Sequence, residues 1–281
     1  TTSRRCSSRS MFRNLAALVR YRGLIQSLVG RELKPRYRGS VLGFFWSFIN
    51  PLMLLLVYSF VFKYIMPGRF PGVEEHYELF LFCGILPWTW FSSSLLESSG
   101  VLISGGNLIK KVLFPAEILP IVTVLANMVH FFFGLTILAV FLGWFEAAIT
   151  PVELLWFPVA VLVQLILTLG FALLLSALTV HFRDVKDILG NLMTFWFFAT
   201  PIIYPYRFLN DPNNPADDWK MQLLNLNPFT HLAISYQEIL FFAGPVGHWK
   251  WLLALGAASV AFFFVGYFVF DRLRDTFAEE V

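Results

Sequence analysis

Three sets of side chains in this chain have the types and spacing to do chemistry. The first is aromatic. Phe44, Phe45, Trp46, Phe48 and Tyr58 lie along one apolar stretch, and Phe195, Trp196, Phe198 and Tyr204 along another. Sugar rings lay their C–H faces on such rings, and the contact is mobile, so an aromatic-lined path lets a sugar polymer slide without being held. Trp and Tyr also anchor helices at membrane interfaces, which is the ordinary use of Trp88, Trp90, Trp249, Trp251, Tyr204 and Tyr206. The second set is polar. Thr123, Asn127, His130 and Gly134 recur at spacings of 4, 3 and 4 and so form one helical stripe. Such a stripe inside a membrane span is a candidate polar path or catalytic histidine, and hydrogen bonding between helices is the plainer use, which we favour. The third set is the loop from Ser104 to Pro115, where Gly105-Gly106 breaks a helix. Leu108, Val112 and Pro115 there can face a partner, with Lys110 and Lys111 at the rim. A knob of this kind can pass on a push from a soluble motor, although a membrane-skimming loop has the same composition.

Other chemistry has no support in the spacing. There is no GxxxxGK[ST] phosphate loop and no HExxH pair. His76, His130, His181, His231 and His248 are scattered, and Cys6 and Cys83 have neither disulfide nor zinc spacing.

The elements that must position these side chains are spanning helices. The chain is 57% hydrophobic and only 14% charged, against about 25% charged for a soluble domain. Six segments are expected to span, at about 42–65, 79–101, 118–142, 152–179, 188–205 and 249–270, each close to the roughly 20 residues a bilayer core needs. Thr200-Pro201 should bend the fifth. Glu97 is expected to snorkel or pair with a basic residue, and Lys63 to reach the outer interface. Ala254 with Ala258, and Ala257 with Ala261, allow close helix approach in the sixth. Between the fifth and sixth, Asn227-Pro228 reads as a cap and first turn of a short re-entrant or interfacial helix, with Phe229, Leu232 and Tyr236 on one face.

Residues 11–33 read as an amphipathic helix ended by Pro35. Leu18, Tyr21, Ile25, Leu28 and Val29 share a face, and Arg13, Arg20, Ser27 and Arg31 lie opposite. It can lie in the headgroup layer or pack on a partner. Ten of the 21 Lys and Arg fall within residues 1–41. With the N-terminus inside, sixteen are cytoplasmic and five are not, so both termini are expected in the cytoplasm. Nucleic-acid binding is set aside because the basic cluster abuts a spanning segment. The N-terminus lacks the apolar core of a cleavable signal, and the first span is expected to act as the insertion signal.

Four blocks in order, LKPRYRGSVLGFFWSFINPLMLLLVYSFVF at 33–62, NLIKKVLFPAEILP at 107–120, HFRDVKDILG at 181–190 and NPFTHLAISYQEILF at 227–241, resemble the membrane permease of polysaccharide-exporting ABC transporters of the ABC-2 type. That family includes O-antigen, capsule and teichoic acid exporters. The resemblance implies an all-α, polytopic inner-membrane protein: a cytoplasmic N-terminal region over 1–41, a six-helix domain over 42–271 and a cytoplasmic tail over 272–281. It implies a homodimer carrying a separate cytoplasmic ATPase, with ATP and Mg on that partner and no cofactor here. The first and fifth spans would line the path for a lipid-linked polysaccharide. Asn107, Leu108, Lys110, Lys111, Val112 and Phe114 would form the coupling helix to the ATPase, and His181, Arg183 and Asp184 a second contact. Phe229, Leu232 and Tyr236 would belong to an outer gate helix. Lys34, Arg36 and Arg38 would dock the undecaprenyl pyrophosphate headgroup, or simply anchor the inner side. The alternatives are an ABC-2 exporter of a small lipid or drug, and a membrane-embedded glycosyl- or acyltransferase using His130 as base, for which Gln164 is the one other mid-span polar candidate.

Overall fold

The computed structural model describes residues 21–37, 45–65, 73, 76–111, 115–145, 151–206 and 218–280, and every regular element among them is helical. In chain order these are α1 (Arg22–Tyr37), α2 (Trp46–Phe60, continued by a π turn over Val61–Ile65), α3 (Tyr77–Ser104), α4 (Gly106–Lys111) and α5 (Ile118–Trp144). They are followed by α6 (Pro151–Leu154), α7 (Phe157–His181), α8 (Val185–Phe198), α9 (Asp218–Leu226), α10 (Pro228–Leu240), α11 (Trp249–Leu273) and α12 (Phe277–Glu280).

Four of these runs are long and apolar enough to cross a membrane: α3, α5, α6 with α7, and α11 with the turn after it. The first and fifth expected spans are shorter. The first is α2 with its π turn, and the fifth starts earlier than expected, at Val185, and stops at Phe198. Thr200 and Pro201 end the fifth rather than bend it. Pro201 has no N–H to offer, and the Thr200 hydroxyl donates back to the Trp196 carbonyl at 2.8 Å. By contrast α1 runs through Pro35 to Tyr37, since a proline in a last turn forfeits a single backbone bond.

The segment of α3 is hydrophobic all round, and such a helix must be surrounded. It sits at the centre, packed by α2, α5, α7, α8 and α10. Trp88 and Trp90 are therefore buried in the core rather than at an interface. The most extensive pair is α7 with α11. Here Gly266 comes so close that an added Cβ would strike the Gly170 carbonyl oxygen, and one at Gly170 would meet the Phe263 Cα at 3.1 Å. Ala254, Ala257, Ala258 and Ala261, which the sequence marked for close approach, are instead exposed on the far face of α11.

The apolar face of α1 is the expected one from Tyr21 onward. Tyr21, Ile25, Leu28 and Val29 pack on Ile118 and Val122 at the start of α5, so the face is covered by the chain itself. Leu18, Arg13 and Arg20 lie outside the described residues.

Candidate functional site

Helix α2 lies against α3 with a cavity on either side. One, of about 370 Å³, opens between α2, α3 and α5, and the other, of about 340 Å³, between α2, α3 and α8. Trp46 lines the first and Tyr58 the second. Phe45 is exposed, and Phe48 rests on Phe133 with ring centroids 5.1 Å apart. Phe44 lies outside the described residues. On α8, Phe195 is 72% and Phe198 61% exposed, so both point away from the chain's own core. The Tyr204 hydroxyl donates to the Phe198 carbonyl at 3.2 Å.

Trp196 behaves differently from its neighbours. Its ring packs edge-on to Trp88, Phe91 and Phe171, and its indole N–H donates to Asn227 Oδ1 at 2.7 Å. Asn227 is the N-cap of α10 and accepts from the Phe229 N–H at 3.0 Å. Its amide also donates to the Ala199 carbonyl at 3.2 Å and to Thr200 Oγ1 at 2.9 Å. Gln237, further along α10, donates to the Pro201 carbonyl at 2.9 Å. The groups left open where α8 stops are thus satisfied by two amides from α10, as a helix end in an apolar setting requires. Phe229, Leu232 and Tyr236 are fully buried on the face of α10 that packs on α3. The sequence singled out Asn227 only as a cap; its other three partners come from a distant segment and leave no local signal.

At the same end of the bundle His231 and His248 form a pair, Nδ1 to Nε2 at 2.9 Å. His231 Nε2 faces the Asn225 carbonyl at 3.0 Å, so that nitrogen carries the proton and Nδ1 accepts from His248. Trp251 stacks on His231 at 4.9 Å, and Glu238 accepts the His248 backbone N–H at 2.9 Å. Burial lowers the pKa of both rings, and the neighbouring His231 helps bring His248 down to about 4.

The opposite end gathers the other expected contacts. Gly105 ends α3 and α4 follows directly; a Cβ at Gly105 would meet Leu119 Cδ1 at 2.7 Å. Asn107 and Lys110 are exposed on α4. Leu108 and Lys111 belong to α4, and Lys34 and Arg36 to the last turn of α1, with their side chains outside the described set. Val112, Phe114 and Arg38 lie outside the described residues altogether. Arg183 and Asp184 are exposed in the turn between α7 and α8. His181 is held inward: Nδ1 lies 3.3 Å from the Ala177 carbonyl and Nε2 3.0 Å from Thr276 Oγ1. The C-terminal turn is tied in as well. Phe277 is buried among Leu102, Leu119, Ala177 and Phe270, and Arg274 pairs with buried Glu117 at 3.5 Å. The short α12 touches both α4 and α7.

The polar stripe on α5 serves packing against α3 along most of its length. Thr123 donates to its own helix at the Leu119 carbonyl, Asn127 donates to Glu97 Oε2 at 2.7 Å, and Gly134 lies under Leu86. Glu97 therefore has an amide partner. His130 lines the α2–α3–α5 cavity. Gln164 does not converge on it but donates to the Pro87 carbonyl at 2.8 Å. Among the described residues no group of three or more His, Cys, Asp or Glu could hold a metal.

Comparison with known proteins completes the picture. The ABC-2 type transporter family matches residues 23–241. The O-antigen export system permease protein RfbA of Myxococcus xanthus is 39% identical over 271 residues, 96% of this chain and 100% of that protein. The protein of the same name from Klebsiella pneumoniae is 30% identical over 259 residues, 91% of this chain and 94% of its own length. The polysialic acid transport protein KpsM of Escherichia coli is 23% identical over 225 residues, 76% of this chain and 80% of its own length. With its central apolar helix, its further apolar helices and a match across most of its length, this chain belongs to the ABC-2 type transporter family.

Proposed function

We propose that this chain is the membrane subunit of an ATP-driven exporter that moves a lipid-linked, O-antigen-like polysaccharide across the inner membrane. The observation that carries the reading is the 39% identity, over 96% of the chain, to an O-antigen export permease. The chain acts as a homodimer with a separate cytoplasmic ATPase that binds ATP and Mg. Six segments cross the bilayer: α2 with its π turn, α3, α5, α6 with α7, α8 with the residues after it, and α11. Both termini are cytoplasmic, supported by the sixteen-to-five division of Lys and Arg. The end carrying α4 and α12 is then the inner end, and the end carrying α9 and α10 the outer one.

The exposed rings of Phe45, Phe195 and Phe198, with Phe44, Trp46, Phe48, Tyr58, Trp196 and Tyr204, contribute to the path; exposure in the single chain supports the first three as surfaces that meet a second copy or the glycan. Lys34, Arg36 and Arg38 receive the pyrophosphate headgroup as charge-assisted donors. Asn107 to Phe114 and the turn from His181 to Asp184 meet the ATPase. Helix α10 is the outer gate, with Phe229, Leu232 and Tyr236 as its seat. ATP binding closes the ATPase pair, the coupling segments move, and the spans part to admit the sugar chain; hydrolysis resets them.

The test is deletion of the gene followed by separate assay of polymer outside and inside the cell. Loss of surface polymer with accumulation of lipid-linked glycan inside supports export. Loss of both pools would point to synthesis, and normal surface polymer would remove the reading.

A further inference from the structure

A short turn beyond the end of a long helix frays unless something ties it down. After α11 the chain makes a 3-10 turn over Arg274–Thr276 and then the short α12, and three contacts of different kinds hold this stretch. Arg274 Nη1 lies 3.5 Å from Glu117 Oε1. Glu117 is 4% exposed, immediately precedes α5 on the stretch that leads in from α4, and its Oε2 has no hydrogen-bond partner among the described residues. The Thr276 hydroxyl donates to the Leu273 carbonyl at 2.7 Å, so its oxygen accepts from His181 Nε2 at 3.0 Å. His181 is the last residue of α7, where the chain turns into α8. The Phe277 ring is buried with Leu102 from the end of α3, Leu119 from the start of α5 and Ala177 from α7. One turn thus contacts both chain reversals at this end of the bundle, the α3–α4–α5 reversal and the α7–α8 reversal.

Apolar packing alone would hold such a turn in place. A buried ion pair adds little net stability over a well-packed apolar pair, and the best-attested use of one is to fix a single arrangement. The bond from His181 to Thr276 is directional in the same way. Directional contacts from one rigid turn to two separate reversals set the spacing between them. We propose that Arg274, Thr276 and Phe277 form a brace that joins the α4 segment to the α7–α8 turn, so that a push on either moves both. It rests on the reading of those two segments as the contacts with the ATPase. Without the brace the two contacts shift independently, and ATP is hydrolysed without parting the spans. Arg274 and Thr276 are therefore positioning residues, which act through Glu117 and His181 and touch neither nucleotide nor glycan.

The test replaces each tie separately in the full chain with its ATPase partner. Thr276→Val keeps the shape and removes the hydroxyl, Arg274→Gln removes the charge, and Arg274→Lys keeps it. ATP hydrolysis is measured on the purified complex in lipid nanodiscs and surface polymer on intact cells, each per assembled complex. In Thr276→Val and Arg274→Gln hydrolysis should persist while surface polymer falls about fivefold or more, the low end of coupling between separate sites. Arg274→Lys should export as wild type does. Wild-type polymer and hydrolysis in the double variant Thr276→Val, Arg274→Gln would overturn the brace. So would a loss of polymer matched in both single variants by an equal loss of assembled complex or of hydrolysis, because the turn would then only stabilise the fold. Those outcomes leave export by the wild-type chain untouched, because export is judged by the deletion experiment.

Discussion

The indole N–H of Trp196 is bonded to Asn227 Oδ1 across 2.7 Å, which ties the last turn of α8 to the N-cap of α10. One asparagine thereby caps one helix and holds the end of another.

Replacing that asparagine should cost more than an ordinary cap. Asn227→Ala removes a cap worth about 1 kcal/mol and leaves the Trp196 N–H and Ala199 carbonyl unpaired, so a loss of about 2–4 kcal/mol is expected. Trp196→Phe keeps the ring packing and should lose only about 1 kcal/mol. Thermal unfolding of both variants in detergent checks the ranking.

The paired histidines beside α10 give a pH dependence of definite sign. Both have their pKa lowered by folding, so the unfolded chain binds more protons between the ordinary 6.5 and about 4. Stability therefore rises with pH across that window and is lost as pH falls through it. The groups facing the pair are Asn225, Glu238, Tyr206 and Trp251. Melting temperatures at pH 7.5 and 5 should differ less in His248→Gln than in wild type.

Close approach of α7 and α11 depends on the absence of side chains at Gly170 and Gly266. Gly266→Ala should force the helices apart at a cost of about 1–3 kcal/mol. Ala258→Val, which adds bulk at an exposed position of the same helix, should alter the melting temperature far less. Side-by-side unfolding in one detergent separates the two.

The exposed rings of α8 should matter for transport without mattering for folding. Phe195→Ala and Phe198→Ala are expected to leave expression and melting within about 0.5 kcal/mol of wild type while surface polymer falls. Unchanged surface polymer in the double variant would take these rings out of the path.

The C-terminal turn should report on the end of the bundle that carries α4 and α12. Phe277→Ala removes a buried ring, a change that costs about 3 kcal/mol in a well-packed core, and should speed proteolysis near residues 274–280 and lower export. Glu280→Ala, an exposed neighbour, should do neither.

Much of this architecture was legible in the sequence because it follows from local pattern. The apolar lengths of α3, α5, α7 and α11, the break at Gly105 and the Asn227-Pro228 start of α10 are all set by residues within a few positions. What was missed depends on partners far along the chain. Trp88 and Trp90 read as interface anchors until α5, α7 and α10 are seen to surround α3. The alanines of α11 have the right spacing for close packing, but the helix turns Gly266 toward α7 instead. Thr200-Pro201 read as a bend within the fifth span, whereas α8 stops at Phe198; that α10 supplies the missing hydrogen bonds was not visible either, since the pairs Asn227–Ala199 and Gln237–Pro201 join residues 28 and 36 positions apart.

Those two amide bonds have a mechanical consequence. With Asn227 and Gln237 both clasping the stump beyond Phe198, α8 and α10 are riveted to each other rather than hinged. A tug on the first turn of α8 should arrive at α10 almost undiminished, because the linkage runs through these hydrogen bonds.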